Sequence, residues 1–473
     1  EICGGEKRQP STLLIWSVSF FLTNLQLSTF NLGFRMWAVS FFLSSCVVVS
    51  LFCLWWFHCN GQKQTIQTNP EVRKGKRMKK RRRRRKRRVY LPEPLMIEIL
   101  SRLPVKSLMR FRCVCKSWHA LVTNPSFISM HLNNYTRSNT NVSVAHFLLG
   151  RFGSITTRPT ISLLSFNNKN NGLDAAAMST VDLDLSLFLD HKTFSHYLFF
   201  GPCDGIVCLY RFHDKFALWN PAIRELKTLS VSDIPRPTHL KLFMGDVGFG
   251  FDPKTNDFKI VHIMRFYSLG YTSIAYQVEI YTLSTNSWRK LDGIVPANIV
   301  CNNSCSLACT NNRIICWRAD QDHCHGGEVV LSFDVCDEVF QTTPLPPDIE
   351  ALWGKRKVTR DILPWNESIA LIVYPRIQEQ CFDIWVMNEF GQESSWTKLL
   401  SIGPLSEIRR PLVFWKNAEF LLESKSGQMV FYNYVTQQNY LGIHGGPYSL
   451  KASIFKESLI SMNGGSVNSG TNL

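Results

Sequence analysis

The feature that most constrains the fold of this 473-residue chain is a hairpin pattern that occurs six times between residues 216 and 443. Each copy has an alternating strand that ends in an aromatic residue, then a polar turn, then a second strand. The aromatic residues are Trp219, Phe251, Tyr281, Phe333, Trp385 and Tyr432. The last four are 52, 52 and 47 residues apart, which is close to a propeller-blade spacing of about 50, whereas the first two intervals, 32 and 30, leave the blade count open. Because a closed ring of small sheets covers strand edges that an open array would expose, we predict an all-β, propeller-like domain over residues 196–455.

A short all-α module is predicted upstream, over residues 89–132. An apolar stripe at helical spacing runs through residues 95–103, and Pro92 and Pro94 fall in the first turn, where a missing N–H costs little. Pro104 ends this helix and opens the next, whose apolar face includes Trp118. About forty residues cannot bury so many large side chains among themselves. The stripe therefore packs on the rest of the chain or awaits a partner.

The helical module, LPEPLMIEILSRLPVKSLMRFRCVCKSWHALVTNPSF from Leu91 onward, resembles the F-box over its full length. The resemblance implies a surface that docks the Skp-type adaptor of a cullin–RING ubiquitin ligase. The residues carried over from the motif, either as adaptor contacts or as supports of the contact surface, are Leu91, Pro92, Ile99, Leu100, Leu103, Pro104, Leu108, Val114, Cys115 and Trp118. Some of them must form the internal core of the helices, and the sequence does not divide the two groups. Pro94 stands where the family more often has an acidic residue or another helix former.

The β region resembles the F-box-associated domain that follows the F-box in many plant proteins. The segments that carry this resemblance include GPCDGIVCL at 201–209, GFGFDPKTNDFKIV at 248–261 and RRPLVFWKNAEFLL at 409–422. The Gly-Gly signature of true kelch repeats is absent, so the domain is kelch-like only in a loose sense. The predicted fold class is a small all-α F-box helical module followed by an all-β, propeller-like (kelch-like) domain. Residues 133–195 are predicted to be a linker with the first irregular strands, and residues 456–473 a flexible tail.

The first 88 residues contain two unusual segments. Residues 36–57 carry no charge and would span ~33 Å as a helix, so they are a candidate transmembrane helix within an uncertain N-terminal segment, residues 1–72. Alternatively, residues 1–77 are upstream sequence that is absent from the mature protein. The linker at 73–88 holds 14 of the 53 basic residues, which leaves 39 basic against 36 acidic residues in the rest of the chain.

This charge distribution excludes a generally basic surface and argues against specific nucleic-acid binding. The basic run is typical of a nuclear-localisation or polyanion-binding segment, a juxtamembrane stretch or a solvated linker. We therefore expect the protein in the cytoplasm and/or nucleus. The alternative is a membrane-anchored protein, held through 36–57, with its F-box and β domain in the cytosol.

Catalytic and metal-binding patterns are weak. Cys301, Cys305, Cys309, Cys316 and Cys324, with His323 and His325, are the best metal candidates, but their spacing matches no zinc or iron–sulfur pattern. Gly245, Gly248 and Gly250 lie in a strand-like run with no helix after it, which argues against a phosphate loop. We therefore expect no catalytic residue, no metal and no cofactor.

The sequence thus predicts a non-catalytic, plant-type substrate receptor of a Skp–cullin–F-box (SCF) ubiquitin ligase, with an unknown protein target. The helical module would hold the adaptor and the β domain the target, so that target lysines are brought near a ubiquitin-charged enzyme. One alternative is a ligand- or protein-binding propeller without a ligase role. Another is a propeller enzyme of the kelch-oxidase kind, for which no copper-ligand set can be assembled from spacing.

Overall fold

The computed structural model describes residues 92–137 and most of residues 144–463. The gaps in the second range are 152–159, 170–171, 184–196, 212–214, 269–273, 294, 300–306, 311, 322–326, 348, 350–357, 376–379, 416–418 and 445–449. The candidate transmembrane segment 36–57, the basic run 73–88 and Leu91 lie outside the described residues. Among the residues that are described, no helix is long and apolar enough to cross a membrane.

Four helices form the N-terminal module: α1 (Glu93–Leu100), α2 (Val105–Phe111), α3 (Lys116–Val122) and α4 (Pro125–Arg137). Pro92 and Pro104 are the N-cap residues of α1 and α2, and their extended backbone starts each helix without the loss of an internal N–H donor. At α3 the cap is a side chain, because Cys115 Sγ accepts a hydrogen bond from the Trp118 backbone N–H at 3.4 Å. The predicted short helices between prolines are confirmed.

The remaining strands form six antiparallel sheets, which we number as blades 1–6. Blade 1 contains β1 (Val144–Arg151), β2 (Thr160–Lys169) and β3 (Gly172–Leu183), together with the last strand, β25 (Leu450–Ile454). Blade 2 contains β4 (Tyr197–Cys203), β5 (Ile206–Arg211), β6 (Lys215–Asn220) and β7 (Glu225–Thr228). Blade 3 contains β8 (Lys241–Asp252), β9 (Asp257–Tyr267), β10 (Ile274–Thr282) and β11 (Ser287–Leu291).

Blade 4 contains β12 (Asn298–Ile299), β13 (Leu307–Thr310), β14 (Ile314–Asp320), β15 (Glu328–Asp334) and β16 (Val339–Pro344). Blade 5 contains β17 (Val358–Trp365), β18 (Ser368–Pro375), β19 (Gln380–Met387) and β20 (Trp396–Leu405), with a 3₁₀ turn at Glu393–Ser395. Blade 6 contains β21 (Ile408–Trp415), β22 (Glu419–Ser424), β23 (Gln428–Asn433) and β24 (Gln438–His444).

The ring is closed by the two ends of the β region. β25 pairs antiparallel with β1, from Leu450 opposite Arg151 to Ile454 opposite Phe147. The inner strands β25, β4, β8, β13, β17 and β21 contact one another in that cyclic order. The structure is therefore a six-bladed propeller in which one blade is shared between its N- and C-terminal strands.

The six-bladed ring explains the uneven spacing of the sequence repeats. Phe251 and Tyr281 both belong to blade 3, on β8 and β10, so their two hairpins mark one blade rather than two. Residues 133–195, predicted to be a linker with the first irregular strands, contain the end of α4 and the strands β1–β3 of blade 1, and the β2–β3 pairing has a register shift between Ser165 and Asn167. Strand β3 was not predicted because its sequence, GLDAAAMSTVDL, lacks the alternating large apolar residues on which strand prediction depends.

A shared turn recurs in the hairpins of blades 2, 3, 4 and 6. An Asn or Asp side chain at its start accepts a hydrogen bond from the backbone N–H two residues later, at 2.8–3.1 Å; these residues are Asn220, Asp252, Asp334 and Asn433. The residue four positions after each of them has a left-handed backbone with φ between 54° and 57°. This side chain-to-backbone turn explains the Asn and Asp residues that follow the aromatic strands in the sequence.

Candidate functional site

The core of the helical module contains three of the ten residues predicted for adaptor docking. Leu100, Leu108 and Trp118 are at most 8% exposed, and Val105, Val122 and Phe127 of the same module are buried as well. The Trp118 ring also lies edge-on to Phe111, with 5.1 Å between the ring centroids. These three predicted residues therefore hold the helices together and support the surface from within.

Six of the predicted residues keep accessible area. Pro92 and Pro104 are exposed, and Ile99, Leu103, Val114 and Cys115 are half-buried. The remaining one, Leu91, is outside the described residues. Cys115 also has a structural role as the cap of α3.

The module exposes apolar side chains that the sequence prediction did not select. Leu95 in α1 is 48% exposed and Met130 in α4 is 38% exposed. Pro92, Leu95 and Ile99 are spaced three and four residues apart, which puts them on one face of α1. We call these three residues, together with Leu103 and Pro104 at the end of the turn that follows, the apolar α1 surface. Leu95 belongs to the apolar stripe at helical spacing in the sequence, and this spacing could have identified it as a candidate docking residue.

Buried polar contacts fix α4 to the α1–α2 junction. His131 is 4% exposed, and its Nε2 lies 2.8 Å from the Leu103 carbonyl oxygen. Burial lowers the pKa of His131, although the hydrogen bond to Leu103 acts in the opposite direction. Asn134 Nδ2 donates to Ser101 Oγ at 2.7 Å. The apolar α1 surface is thus presented by a module with a defined internal geometry.

The C-terminal segment links the module to the propeller. Residues 455–463, which we call the C-terminal strap, follow β25, and within them Glu457 accepts a hydrogen bond from the Val105 backbone N–H at 3.3 Å. Asn220 Nδ2 donates to the carbonyl oxygens of Ser458 and Ile460 at 3.1 and 2.9 Å. The flexible tail predicted from residue 456 onward is therefore corrected for residues 456–463. Buried Leu459 and Met462 anchor the strap, and the described part of the chain ends at residue 463.

The propeller has two distinguishable faces. The strap packs against the turn that follows β4, where a Cβ on Gly205 would lie 2.4 Å from Ser458 Cβ. We call this side, on which β4 and β25 end, the strap face. The first residues of β17, β21 and β25 lie on the opposite side, the far face, where Arg410 Nη2 donates to the Leu450 carbonyl oxygen at 2.7 Å.

The described residues contain no group of three or more His, Cys, Asp or Glu side chains that could hold a metal ion. Cys316 is buried in blade 4, and Cys301, Cys305, Cys324, His323 and His325 lie outside the described residues. His262 is enclosed by the rings of Tyr210, Phe216 and Trp288. The buried positions of Cys316 and His262 are typical of core packing.

Comparison with known proteins supports the division into two parts. Residues 90–130 match the F-box domain, and residues 154–460 match the F-box associated beta propeller domain. The F-box/kelch-repeat protein At3g23880 of Arabidopsis thaliana is 30% identical over 345 residues, which cover 72% of this chain and 87% of that protein. F-box protein At3g07870 of the same plant is 26% identical, covering 72% of this chain and 85% of its own length. The Arabidopsis F-box protein CPR1 is 23% identical, with 78% and 88% covered.

Proposed function

Because the chain belongs to the plant F-box proteins that carry a C-terminal F-box-associated propeller, we propose that it is the substrate-recognition subunit of an SCF-type ubiquitin ligase. In this proposal the F-box docks a Skp-type adaptor, and through it a cullin–RING ligase, while the propeller binds the target protein. The domain order and the relatives support a substrate-adaptor role in such ligases in general. The adaptor contacts and the target belong to the proposal.

The observation that carries the proposal is the apolar α1 surface. Leu95 is 48% exposed and Ile99 is half-buried, whereas Leu100, Leu108 and Trp118 form the buried core of the same module. Burial of such an apolar surface against a partner would stabilise the complex by about 25 cal/mol for each Å² removed from water. Accessible apolar residues arranged on one helix face are typical of a docking site for a partner helix.

The proposed mechanism is proximity rather than chemistry. The strap contacts both the propeller, through Asn220, and the helical module, through Val105. A target bound to the propeller would therefore be held at a restricted distance from the adaptor-bound ligase. Such tethering raises the effective concentration of target lysines near the ubiquitin-charged enzyme. No bond needs to be made or broken by residues of this chain.

The docking surface can be tested with the double variant Leu95→Asp, Ile99→Asp in the full chain. Two carboxylates in a desolvated interface should weaken co-purification with a Skp-type adaptor at least about a hundredfold. Leu399→Asp is the matched control, because Leu399 is also a large exposed residue, at 50%, but lies on the outer strand of blade 5. Circular dichroism and thermal unfolding would verify that all three proteins are folded. Equal adaptor binding by the double variant and the control would show that the apolar α1 surface is not the docking site.

A further inference from the structure

A network of buried charged side chains lies at the far face, where the inner strands of blades 5 and 6 begin. Its members, which we call the far-face network, are Arg318 and Glu328 of blade 4, Arg360, Asp361 and Tyr374 of blade 5, and Arg409, Arg410 and Glu423 of blade 6. Arg318 bonds to Glu328 and to the Arg360 carbonyl oxygen, and Arg360 Nη1 lies 2.8 Å from Glu328 Oε2. These contacts join blades 4 and 5, and Arg410 of blade 6 acts on Asp361 of blade 5 through its charge.

The blade 5 members contact each other, and so do two of the blade 6 members. Tyr374 donates its hydroxyl proton to Asp361 Oδ2 at 2.6 Å, and Arg410 Nε donates to Glu423 Oε2 at 2.6 Å. Asp361, Arg410 and Glu423 are at most 6% exposed. Buried charges of this kind are tolerated when they are paired and hydrogen-bonded.

The pairing within the far-face network is unequal. Its members include four guanidinium groups and three carboxyl groups, and burial favours the neutral form of one of these carboxyl groups, that of Asp361. Burial raises the pKa of Asp361, although the Tyr374 hydroxyl and the charges of Arg410 and Arg318 act in the opposite direction. The named members of the far-face network thus carry one more positive than negative formal charge, and Asp320, opposite Glu328 at the end of β14, adds a carboxylate beside them.

Unused donors provide a second and independent observation. The Nε atoms of Arg318 and Arg360 are buried and have no hydrogen-bond partner among the described residues. Arg318 as a whole is 7% exposed, whereas the Arg360 side chain keeps 21% of its surface accessible and Arg409 is half-buried. A guanidinium presents five N–H donors in a fork that fits an oxyanion with two parallel bonds. An anionic group can approach the accessible parts of the Arg360 and Arg409 side chains, whereas the buried Nε donors would become available only if these side chains shifted.

From this geometry we propose that the far-face network binds an oxyanion side chain of the target protein, either a carboxylate or a phosphorylated residue. The inference rests on the proposed function, because it supplies the chemistry by which the propeller would select its target. The described residues of the strap pack on the strap face and do not cover the far face. Arg360 is the residue on which the binding depends most, since its guanidinium belongs to the network and its side chain keeps 21% of its surface accessible.

The test uses the full chain in complex with a Skp-type adaptor and three blocked tripeptides as probes. The central residue of the probe is glutamate, phosphoserine or glutamine, and binding is measured by ligand-observed nuclear magnetic resonance. We expect one or both anionic peptides to bind at least about tenfold more tightly than the glutamine peptide, since charge-assisted hydrogen bonds are the stronger ones. The comparison of glutamate with phosphoserine shows which source of the anion is preferred.

The variants Arg360→Gln and Arg409→Gln should each weaken the anionic peptides about tenfold. Lys254→Gln should leave their binding unchanged, because Lys254 is an exposed cation in a strap-face turn. Equal binding of the glutamate and glutamine peptides would overturn the inference. Full binding of the anionic peptides by both arginine variants would also overturn it, since the basic run at 73–88 would then be the binder.

Adaptor binding is measured on the same samples. Loss of peptide binding with the adaptor retained bears on the far-face network alone, whereas a wild-type chain that does not bind the adaptor contradicts the proposed function.

Discussion

At the scale of single residues, the turn-forming Asp and Asn side chains contribute more than turn geometry. Asp334 accepts the Cys336 backbone N–H at 2.8 Å and also pairs with Arg313 through three contacts of 2.6–3.0 Å. Burial alone would raise the pKa of Asp334, but the hydrogen bonds from Arg313 and from the turn hold it below its ordinary value. The same side chain therefore fixes the β15–β16 turn and neutralises the cation beside it.

Substitution of this residue has a definite expected result. Asp334→Ala removes the turn hydrogen bond and leaves the Arg313 guanidinium without its main partner, so we expect a loss of about 2 kcal/mol in the free energy of unfolding. Asp292→Ala is the matched control because the Asp292 side chain is 94% exposed. Urea denaturation of both variants measures the difference. A loss equal to that of the control would mean that the turn does not depend on this side chain.

At the scale of elements, the C-terminal strap is the part that connects the helical module to the ring. Gly205, with φ +82°, lies directly beneath it, and an added Cβ would meet the Ser458 side chain and the Lys456 carbonyl oxygen at 2.4 and 2.6 Å. Because one of these atoms belongs to the backbone, the contact cannot be relieved by a side-chain rotation. The strap must move if this glycine is replaced.

Gly205→Ala should therefore destabilise the protein by at least about 2 kcal/mol, from the clash and from the left-handed backbone that alanine adopts poorly. It should also make the C-terminus more sensitive to limited proteolysis. Gly293→Ala is the matched control, since no atom lies within 4 Å of a Cβ built there. Unchanged stability and unchanged proteolysis of Gly205→Ala would contradict the packing described for the strap.

At the scale of the whole molecule, the sequence predicted the two domains because their signals are local. The F-box pattern occupies one continuous segment, and most of the blades contain a hairpin that can be identified without the rest of the chain. The blade count was not predictable from these hairpins, because blade 1 combines strands from both ends of the β region and blade 3 contributes two copies of the pattern. Ring closure is a long-range property, so hairpin spacing alone could not reveal it.

The candidate sites, too, could be predicted only as far as their residues form a local sequence pattern. The apolar stripe of α1 was visible as periodicity, but only packing separates buried Leu100 from exposed Leu95. The far-face network was not predicted, because its charged residues come from strands of three different blades. Residues such as Arg318 and Arg360, which are 42 positions apart, meet only when blades 4 and 5 pack side by side.

The central claim is that the chain serves as a receptor that binds a ligase adaptor, and the most direct test is the mass of the complex in solution. The full chain is mixed with a purified Skp-type adaptor and analysed by size-exclusion chromatography with light scattering. We expect a stable one-to-one complex whose mass is the 54.3 kDa of this chain plus that of the adaptor. A folded chain that elutes apart from the adaptor at micromolar concentration would contradict it.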